Sequence, residues 1–267
     1  MKYVVLSFDD GRLDTYTRAI PIMNKYRVTA TINVVSDFIE HESVYSIFPS
    51  ASNKAMTKVM LKEVYLKGFE IACHGHTHKN TQEDIINNIT ALKEWGIHTD
   101  EMGFASPFSY ITKKNMCEID ELLRKGFISY IRSGIQVRRE SFFYKTAYII
   151  QELTHNKYLF YLLNKTNCIK KSELEDYVIG VSISSETTFK QIKFLIEKLP
   201  DDSTIILILH SILKPTDEGY GADKWYMDEK IFCDLCIYLK SNRAVEVLTN
   251  IELMRRRESV YSTKKRN

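Results

Sequence analysis

The chain alternates short, continuous apolar runs with longer stretches in which apolar residues recur every three or four positions. Runs of the first kind predict buried strands, and stretches of the second kind predict amphipathic helices. Gly68, Gly96 and Gly126 end three of the helical stretches, as expected for residues that stop a helix. The predicted strands cover residues 3–8, 28–35, 69–73, 102–105, 127–131, 177–183, 204–209 and 245–248. The predicted helices cover residues 13–26, 57–67, 82–95, 113–125, 188–198 and 228–240.

The alternation of strands and helices predicts a parallel sheet covered by helices, which is an α/β fold. Six to eight such units in one domain favour a closed or partly open barrel over a doubly wound open sheet. The first strand is not followed by a glycine-rich phosphate-binding turn, which counts against a dinucleotide-binding fold. We expect one domain over residues 1–250 and a basic tail over 251–267. Residues 136–172, rich in aromatic and basic side chains, form either an inserted helical lobe or ordinary packing against the barrel.

The composition indicates a soluble enzyme-sized domain. The chain has 267 residues, of which 44% are hydrophobic and 27% charged, and its net charge of +3 does not favour a nucleic-acid-binding protein. No apolar run approaches the ~20 residues of a membrane span. Five cysteines without a secretory signal predict reduced thiols in a cytoplasmic protein. We interpret the basic tail as a solvated segment, with weak contact to an anionic membrane surface as the alternative.

Carboxylates and imidazoles follow three of the predicted strands. Asp9 and Asp10 come directly after the first strand, His74 and His78 after the third, and His210 after the strand over residues 204–209. Because active sites of parallel barrels lie at the carboxyl ends of the strands, these side chains are expected to meet on one rim. An imidazole there is placed to protonate an amine leaving group.

The five side chains divide into a metal site and a proton-transfer site. Two adjacent carboxylates repel one another unless a cation or a raised pKa relieves them. Neighbouring strand residues point in opposite directions, so Asp9 and Asp10 should have different tasks unless the turn realigns them. Two imidazoles, His74 and His78, together with one carboxylate suit Zn²⁺ or a similar divalent ion. Gly75 occupies the place of the glutamate base of zinc proteases, so the base must come from elsewhere, and Asp9 is the natural candidate.

At these positions the chain resembles the polysaccharide deacetylases of the NodB-homology type, carbohydrate esterase family 4. The resemblance rests on Ser7–Gly11 (SFDDG), on His74 and His78 after residues 68–71 (GFEI), and on residues 207–210 (LILH). It extends over roughly residues 1–250 and implies a distorted (β/α)₇ barrel. It also implies a metal-dependent hydrolase that removes acetyl groups from N-acetylated sugars, with Zn²⁺ favoured over Co²⁺, Ni²⁺ or Fe²⁺. The implied roles are a general base (Asp9), a general acid (His210) and three metal ligands (Asp10, His74 and His78).

The third motif of the family is incomplete in this chain. Residues 105–108 read ASPF, so the arginine that usually supports the base is replaced by Ala105. Arg132, just after the predicted strand over residues 127–131, is expected to supply a positive charge from another direction and is counted among the predicted substrate-binding residues. Pro107 and Phe108 keep the rest of the motif and are predicted to contact the substrate.

The loop over residues 211–227 adds further candidates for substrate binding. Tyr220 and Trp225 could stack on a sugar ring, or alternatively close the top of the barrel. Three other functions remain open. The same metal site suits a hydrolase of another small amide or formamide. The missing arginine suits a catalytically impaired carbohydrate-binding homologue, and a nucleic-acid-binding protein is the least favoured.

Overall fold

A computed structural model describes residues 1–44, 54–134, 142–222 and 224–256. Its strands are β1 (Lys2–Phe8), β2 (Thr31–Val34), β3 (Glu70–Cys73), β4 (Gly103–Ala105), β5 (Tyr130–Gly134), β6 (Ile169–Lys170), β7 (Tyr177–Ser182), β8 (Ser203–Leu209), β9 (Ser211–Leu213), β10 (Tyr226–Asp228) and β11 (Val245–Leu248). Its helices are α1 (Ile20–Tyr26), α2 (Ser36–His41), α3 (Lys58–Leu66), α4 (Gln82–Glu94), α5 (Lys113–Arg124), α6 (Phe142–Thr154), α7 (Lys157–Asn164), α8 (Phe189–Glu197) and α9 (Glu229–Ser241).

Seven parallel strands form a closed barrel with helices around it, which confirms the predicted fold class. The ring runs β1, β2, β3, β4, β5, β7 and β8, and β8 pairs again with β1 over residues 204–209 and 3–8. β11 pairs with the first half of β1, whereas β2 pairs with its last two residues. One edge of β1 is thus shared by two strands, β11 and β2, whereas the other edge pairs with β8.

The strands form because their apolar residues are buried on both faces, as expected of a parallel sheet. All residues of β8 are buried, and β1 is buried from Tyr3 to Phe8. The helices cover the barrel with one apolar side. The main core joins the outer faces of the strands to the helices and includes Phe8, Phe104 and Phe232.

The observed elements follow the predicted ones with local differences. The predicted helix over residues 13–26 is a π-helical segment (Thr15–Ala19) that continues into α1. The strand predicted over 127–131 lies three residues later, as β5, because Phe127 is 45% exposed and belongs to the preceding turn. At the other end, Ile251, Leu253 and Met254 are buried, so the packed part of the chain extends past the predicted boundary at residue 250.

Residues 136–172 contain a pair of helices that leave the regular alternation. α7 buries Phe160 and Leu163, and Tyr158 and Tyr161 place their rings against Phe194 of α8. α6 lies further out and buries only Gln151. The first part of this region, residues 136–141, and the basic tail from residue 257 onward lie outside the described residues. Within the described ranges, no helix combines the length and the apolar character needed to span a bilayer.

Candidate active site

The turn after β1 brings both aspartates to the same side. The Asp9 amide donates to the carbonyl of Leu209 at 2.8 Å, which extends the pairing of β1 with β8 by one residue. Asp10 and Gly11 then adopt φ angles of 76° and 72°. Two left-handed residues in succession reverse the chain, and aspartate tolerates this conformation better than most residues. The turn therefore realigns the two carboxylates, which a continued strand would have pointed in opposite directions.

Asp10, His74 and His78 converge at the carboxyl ends of β1 and β3. The Asp10 Oδ1 lies 3.6 Å from His74 Nε2 and 3.7 Å from His78 Nε2. One ligand atom from each residue lies within 4.8 Å of the others. The Nδ1 of His74 is 2.8 Å from the carbonyl of Ala105, which only accepts, so Nδ1 carries the proton and Nε2 keeps its lone pair. One carboxylate and two imidazoles in this arrangement fit a divalent metal ion.

Asp84, in the first turn of α4, holds the loop that carries the two histidines. Its carboxylate accepts from the Thr77 amide at 3.0 Å, the Thr77 hydroxyl at 2.8 Å and the Lys79 amide at 3.0 Å. Gly75 has a φ of 81°, and a Cβ there would lie 2.6 Å from the Asp84 carboxylate. His78 itself adopts a φ of 61°. The imidazoles thus belong to a tight loop rather than to one helical turn.

Asp9 is buried and has two hydrogen-bond donors on Oδ1. Arg132 donates from Nη2, and Asn33 donates from its amide at 2.8 Å. The other oxygen, Oδ2, lies 3.9 Å from His74 Nε2 and 4.0 Å from His210 Nε2. Arg132 supplies the charge expected of it, but from within β5, where it is fully buried. The role of Arg132 in substrate binding stays a prediction, and the contact that the structure shows for its guanidinium is with Asp9.

Arg12 is a site residue that sequence reasoning missed. It is 4% exposed, and its Nε and Nη2 lie 2.9 and 2.8 Å from Asp10 Oδ2. Its Nη1 donates to Ser211 Oγ at 3.3 Å. Oδ2 of Asp10 is thus committed to Arg12, whereas Oδ1 faces the imidazoles. Burial alone would raise the pKa of Asp10, but Arg12 and the nearby histidines outweigh it and hold the pKa well below its usual range.

The three histidines of the cluster are neutral at pH 7. Burial lowers the pKa of His74, His78 and His210 to about 4 in each case. The neighbouring Asp10 opposes this shift only in part. Neutral imidazole is the form that binds a metal ion, so these histidines are already in the protonation state that metal binding requires.

The predicted substrate-binding residues lie in different places. Phe108, 51% exposed, has its ring 4.5 Å from the His78 ring, while Pro107 is buried. Trp225 lies against His210, with ring centroids 5.4 Å apart. Tyr220 instead packs on Tyr226, and its hydroxyl donates to an Asp228 oxygen at 3.2 Å. Phe108 and Trp225 therefore stand on two sides of the cluster, and Tyr220 contacts none of its three histidines in the described contacts.

The barrel with carboxylates and imidazoles at its strand ends defines the fold class, and the first part of the chain matches a known family. Residues 1–118 match the family model described as polysaccharide deacetylase. This part contains β1 to β4, with Asp9, Asp10, His74 and His78, whereas His210 lies beyond it. The resemblance to these deacetylases that the motifs predict is thereby confirmed. A search of curated proteins found no significant match.

Solved structures share the fold at low sequence identity. A family 4 acetyl xylan esterase from Clostridium thermocellum, in complex with a cobalt ion, is 16% identical with a TM-score of 0.53, covering 94% of this chain and 89% of that chain. The Bc1960 peptidoglycan N-acetylglucosamine deacetylase is 12% identical with a TM-score of 0.54, covering 94% and 87%. The Xyl-CE4 domain of a multidomain xylanase from the hindgut metagenome of Trinervitermes trinervoides is 15% identical with a TM-score of 0.50, covering 96% and 91%. These likenesses establish a common barrel.

Proposed function

We propose that the protein is a metal-dependent hydrolase that removes acetyl groups from N-acetylated sugars, releasing acetate and an amino sugar. The observation that carries the proposal is the meeting of Asp10, His74 and His78 beside Asp9 and His210 at one end of the barrel. The family match over residues 1–118 supports the same activity.

Asp10, His74 and His78 would hold the metal, with Zn²⁺ as the first candidate for this ligand set. A solved relative of the same fold contains cobalt, which supports a divalent ion of this kind. When bound, such an ion supplies Lewis-acid polarisation of the amide carbonyl and makes a nearby water more acidic. Arg12 and the Ala105 carbonyl orient two of the three ligands.

Asp9 would act as the general base, with Arg132 and Asn33 holding its Oδ1 so that Oδ2 faces the reacting water. His210 would protonate the departing amine. Because burial lowers the pKa of His210, its ring is neutral at rest and must gain a proton during turnover. Asp9 Oδ2, 4.0 Å from His210 Nε2, is placed to pass on the proton taken from water.

Phe108 and Trp225 would form the walls between which the acetamido group enters. The Phe108 ring contacts His78, a proposed metal ligand, and the Trp225 ring contacts His210, the proposed acid. Half-exposed aromatic rings at the mouth of a polar site are suited to the flat apolar face of a sugar ring.

The contact of Arg132 with Asp9 favours an active enzyme over a catalytically impaired binding homologue. It places a cation beside the base although Ala105 has replaced the usual arginine. A hydrolase of another small amide or formamide would use the same residues, so a substrate panel that includes N-formyl compounds separates it from a deacetylase.

The proposal is tested by metal analysis together with an acetate-release screen on N-acetylated mono- and oligosaccharides. Wild type is compared with Asp10→Ala and with Asp201→Ala, a control that removes a carboxylate whose side chain is 83% exposed. Wild type and the control should retain a stoichiometric divalent ion and release acetate, and Asp10→Ala should lose both. Equal acetate release from wild type and Asp10→Ala would refute the assignment.

A further inference from the structure

Helix α6 has its apolar residues on the outside. At about 100° per residue, Phe142, Phe143, Ile149, Ile150 and Leu153 fall within an arc of about 120°. All five side chains are exposed, with Phe143 at 84% and Leu153 at 78%. The opposite side lines a cavity against the barrel and carries more polar residues, including Gln151 and Glu152. Ile149 and Lys145, at the edge of the arc, are exposed and also line this cavity. A helix that only covered the core would show the reverse pattern.

Two residues of α7, the helix that follows α6 and packs on it, are exposed apolar side chains as well. Tyr158 and Leu162 are 60% and 51% exposed. We refer to these two residues and the five of α6 as the outer face. Large contiguous apolar patches are uncommon on the free surface of soluble proteins and mark interaction sites.

The charged side chains along residues 142–167 are almost all positive. Over residues 142–167 the chain has three lysines, Lys145, Lys157 and Lys165, and a single carboxylate, Glu152. Glu152 points toward the barrel and pairs with Lys224 at 3.4 Å. Apolar and aromatic side chains bordered by lysines suit the surface of a bilayer that contains anionic lipids. Two-fold self-association would bring these lysines toward their own copies and is disfavoured for that reason.

The outer face lies at the catalytic end of the barrel. The inner side of α6 lines a cavity of about 410 Å³ whose opposite wall includes Trp225, and Trp225 touches His210. Lys224 joins the two walls through Glu152 and the Tyr148 ring. A surface that bound the outer face would thus lie on the side of α6 opposite to this cavity.

We propose that the outer face docks the protein onto membranes containing anionic lipids, with the apolar side chains entering the interface and the lysines contacting headgroups. This docking goes beyond the proposed deacetylase activity and does not depend on it. It also differs from the predicted contact through the basic tail, because it uses residues 142–165.

Vesicle flotation of the full-length protein tests the docking. The vesicles consist of phosphatidylcholine alone or of an equal mixture of phosphatidylcholine and phosphatidylglycerol. Wild type should float with the mixed vesicles at low salt and less so at high salt. The variant Phe143→Ser/Leu153→Ser should weaken binding at least about tenfold, since each apolar side chain contributes on insertion. Lys145→Glu should mainly weaken the salt-sensitive part of the binding.

The control variant Val59→Ser/Leu66→Ser removes two equally exposed apolar side chains from α3, which are 68% and 73% exposed. It should bind like wild type, and circular dichroism should be the same for all variants. Three results would overturn the proposal: wild type that does not bind the mixed vesicles, equal losses in the two double variants, or a wild-type dimer that Phe143→Ser/Leu153→Ser makes monomeric. The assay contains no sugar, so its outcome is separate from that of the acetate-release screen.

Discussion

The ion pair between Arg132 and Asp9 is open to a quantitative test, because both groups are fully or nearly fully buried. Arg132 is 0% exposed and Asp9 2%. Within the described residues, Nε and Nη1 of Arg132 have no hydrogen-bond partner. The contact of its Nη2 with Asp9 is therefore the main interaction that offsets the desolvation of the guanidinium. Removing one partner of a buried pair typically costs about 3–5 kcal/mol, because the other charge stays buried without its counter-ion.

Arg132→Met should therefore lower the free energy of unfolding by about 3 kcal/mol, near the low end of that range. Asn33 still donates to the same Asp9 oxygen at 2.8 Å and moderates the loss. The double variant Asp9→Asn/Arg132→Met should be more stable than Arg132→Met alone, because it no longer buries an unpaired carboxylate. The coupling between the two sites should be about 2–3 kcal/mol.

The assay is urea unfolding in the presence of a chelator, so that metal binding does not add to the stability of the folded state. Arg124→Met, on the exposed side of α5, serves as the matched control and should unfold like wild type. Acetate release by metal-loaded Arg132→Met should fall at least about tenfold, since a misplaced base loses its alignment with the substrate. If the effects of Asp9→Asn and Arg132→Met add to within about 0.5 kcal/mol, the reasoning fails.

Three other predictions follow from the site. The variant His210→Gln should still bind the metal, and its kcat should be lower than that of wild type by a factor of about 10²–10⁴. An unchanged kcat would show that His210 is not the general acid. Gly75→Ala should weaken metal binding at least about tenfold by calorimetry, because its Cβ would meet Asp84 and Lys79. Gly68→Ala, which has a φ of 87° but nothing within 4 Å, is the control and should bind metal normally. The metal-free protein should lose stability as the pH falls from 6.5 toward 4. In this range the three histidines are protonated in the unfolded chain but stay neutral in the folded protein, where burial lowers the pKa of His74, His78 and His210 to about 4. Each histidine contributes roughly 1.4 kcal/mol per pH unit in this window. Burial raises the pKa of Asp14 from 3.8 to about 6, so Asp14 binds a proton in the folded protein over the same pH range. This proton offsets the destabilisation that about one of the three histidines causes. A urea midpoint at pH 5 equal to that at pH 7 would contradict this prediction.

The residues at the strand ends could be predicted from sequence because each follows a clear apolar run. Asp9 and Asp10 come after β1, and His210 directly follows β8. In a parallel barrel, this position alone places such side chains on one rim. Their approach to within 4.0 Å is what the strand pattern indicated.

The supporting residues could not be predicted in the same way. Arg12 is buried although arginine is usually exposed, and no local pattern distinguishes it from a surface residue. Asn33 lies inside β2, where a polar residue is explained by its contacts with Ser7, Phe8 and Asp9 at the end of β1. Arg132 was placed after a strand because the apolar run ends at Ile131, yet β5 continues to Gly134. Contacts between distant segments decide all three positions.

The short strands and the orientation of α6 could not be predicted, for different reasons. β6, β9 and β10 contain two or three residues each, too few to show a period. α6 does show an apolar period, but its apolar arc faces solvent, so the pattern gives the helix without its orientation.

The pairing of β1 with β8 joins residues about two hundred positions apart, and the Asp9 amide donates to Leu209, the residue just before His210. The register between β1 and β8, which closes the barrel, therefore also places the proposed base opposite the proposed acid. A slip of one residue in this register would turn every side chain of β1 to the other face. The same register therefore closes the barrel and sets the distance between the proposed base and the proposed acid.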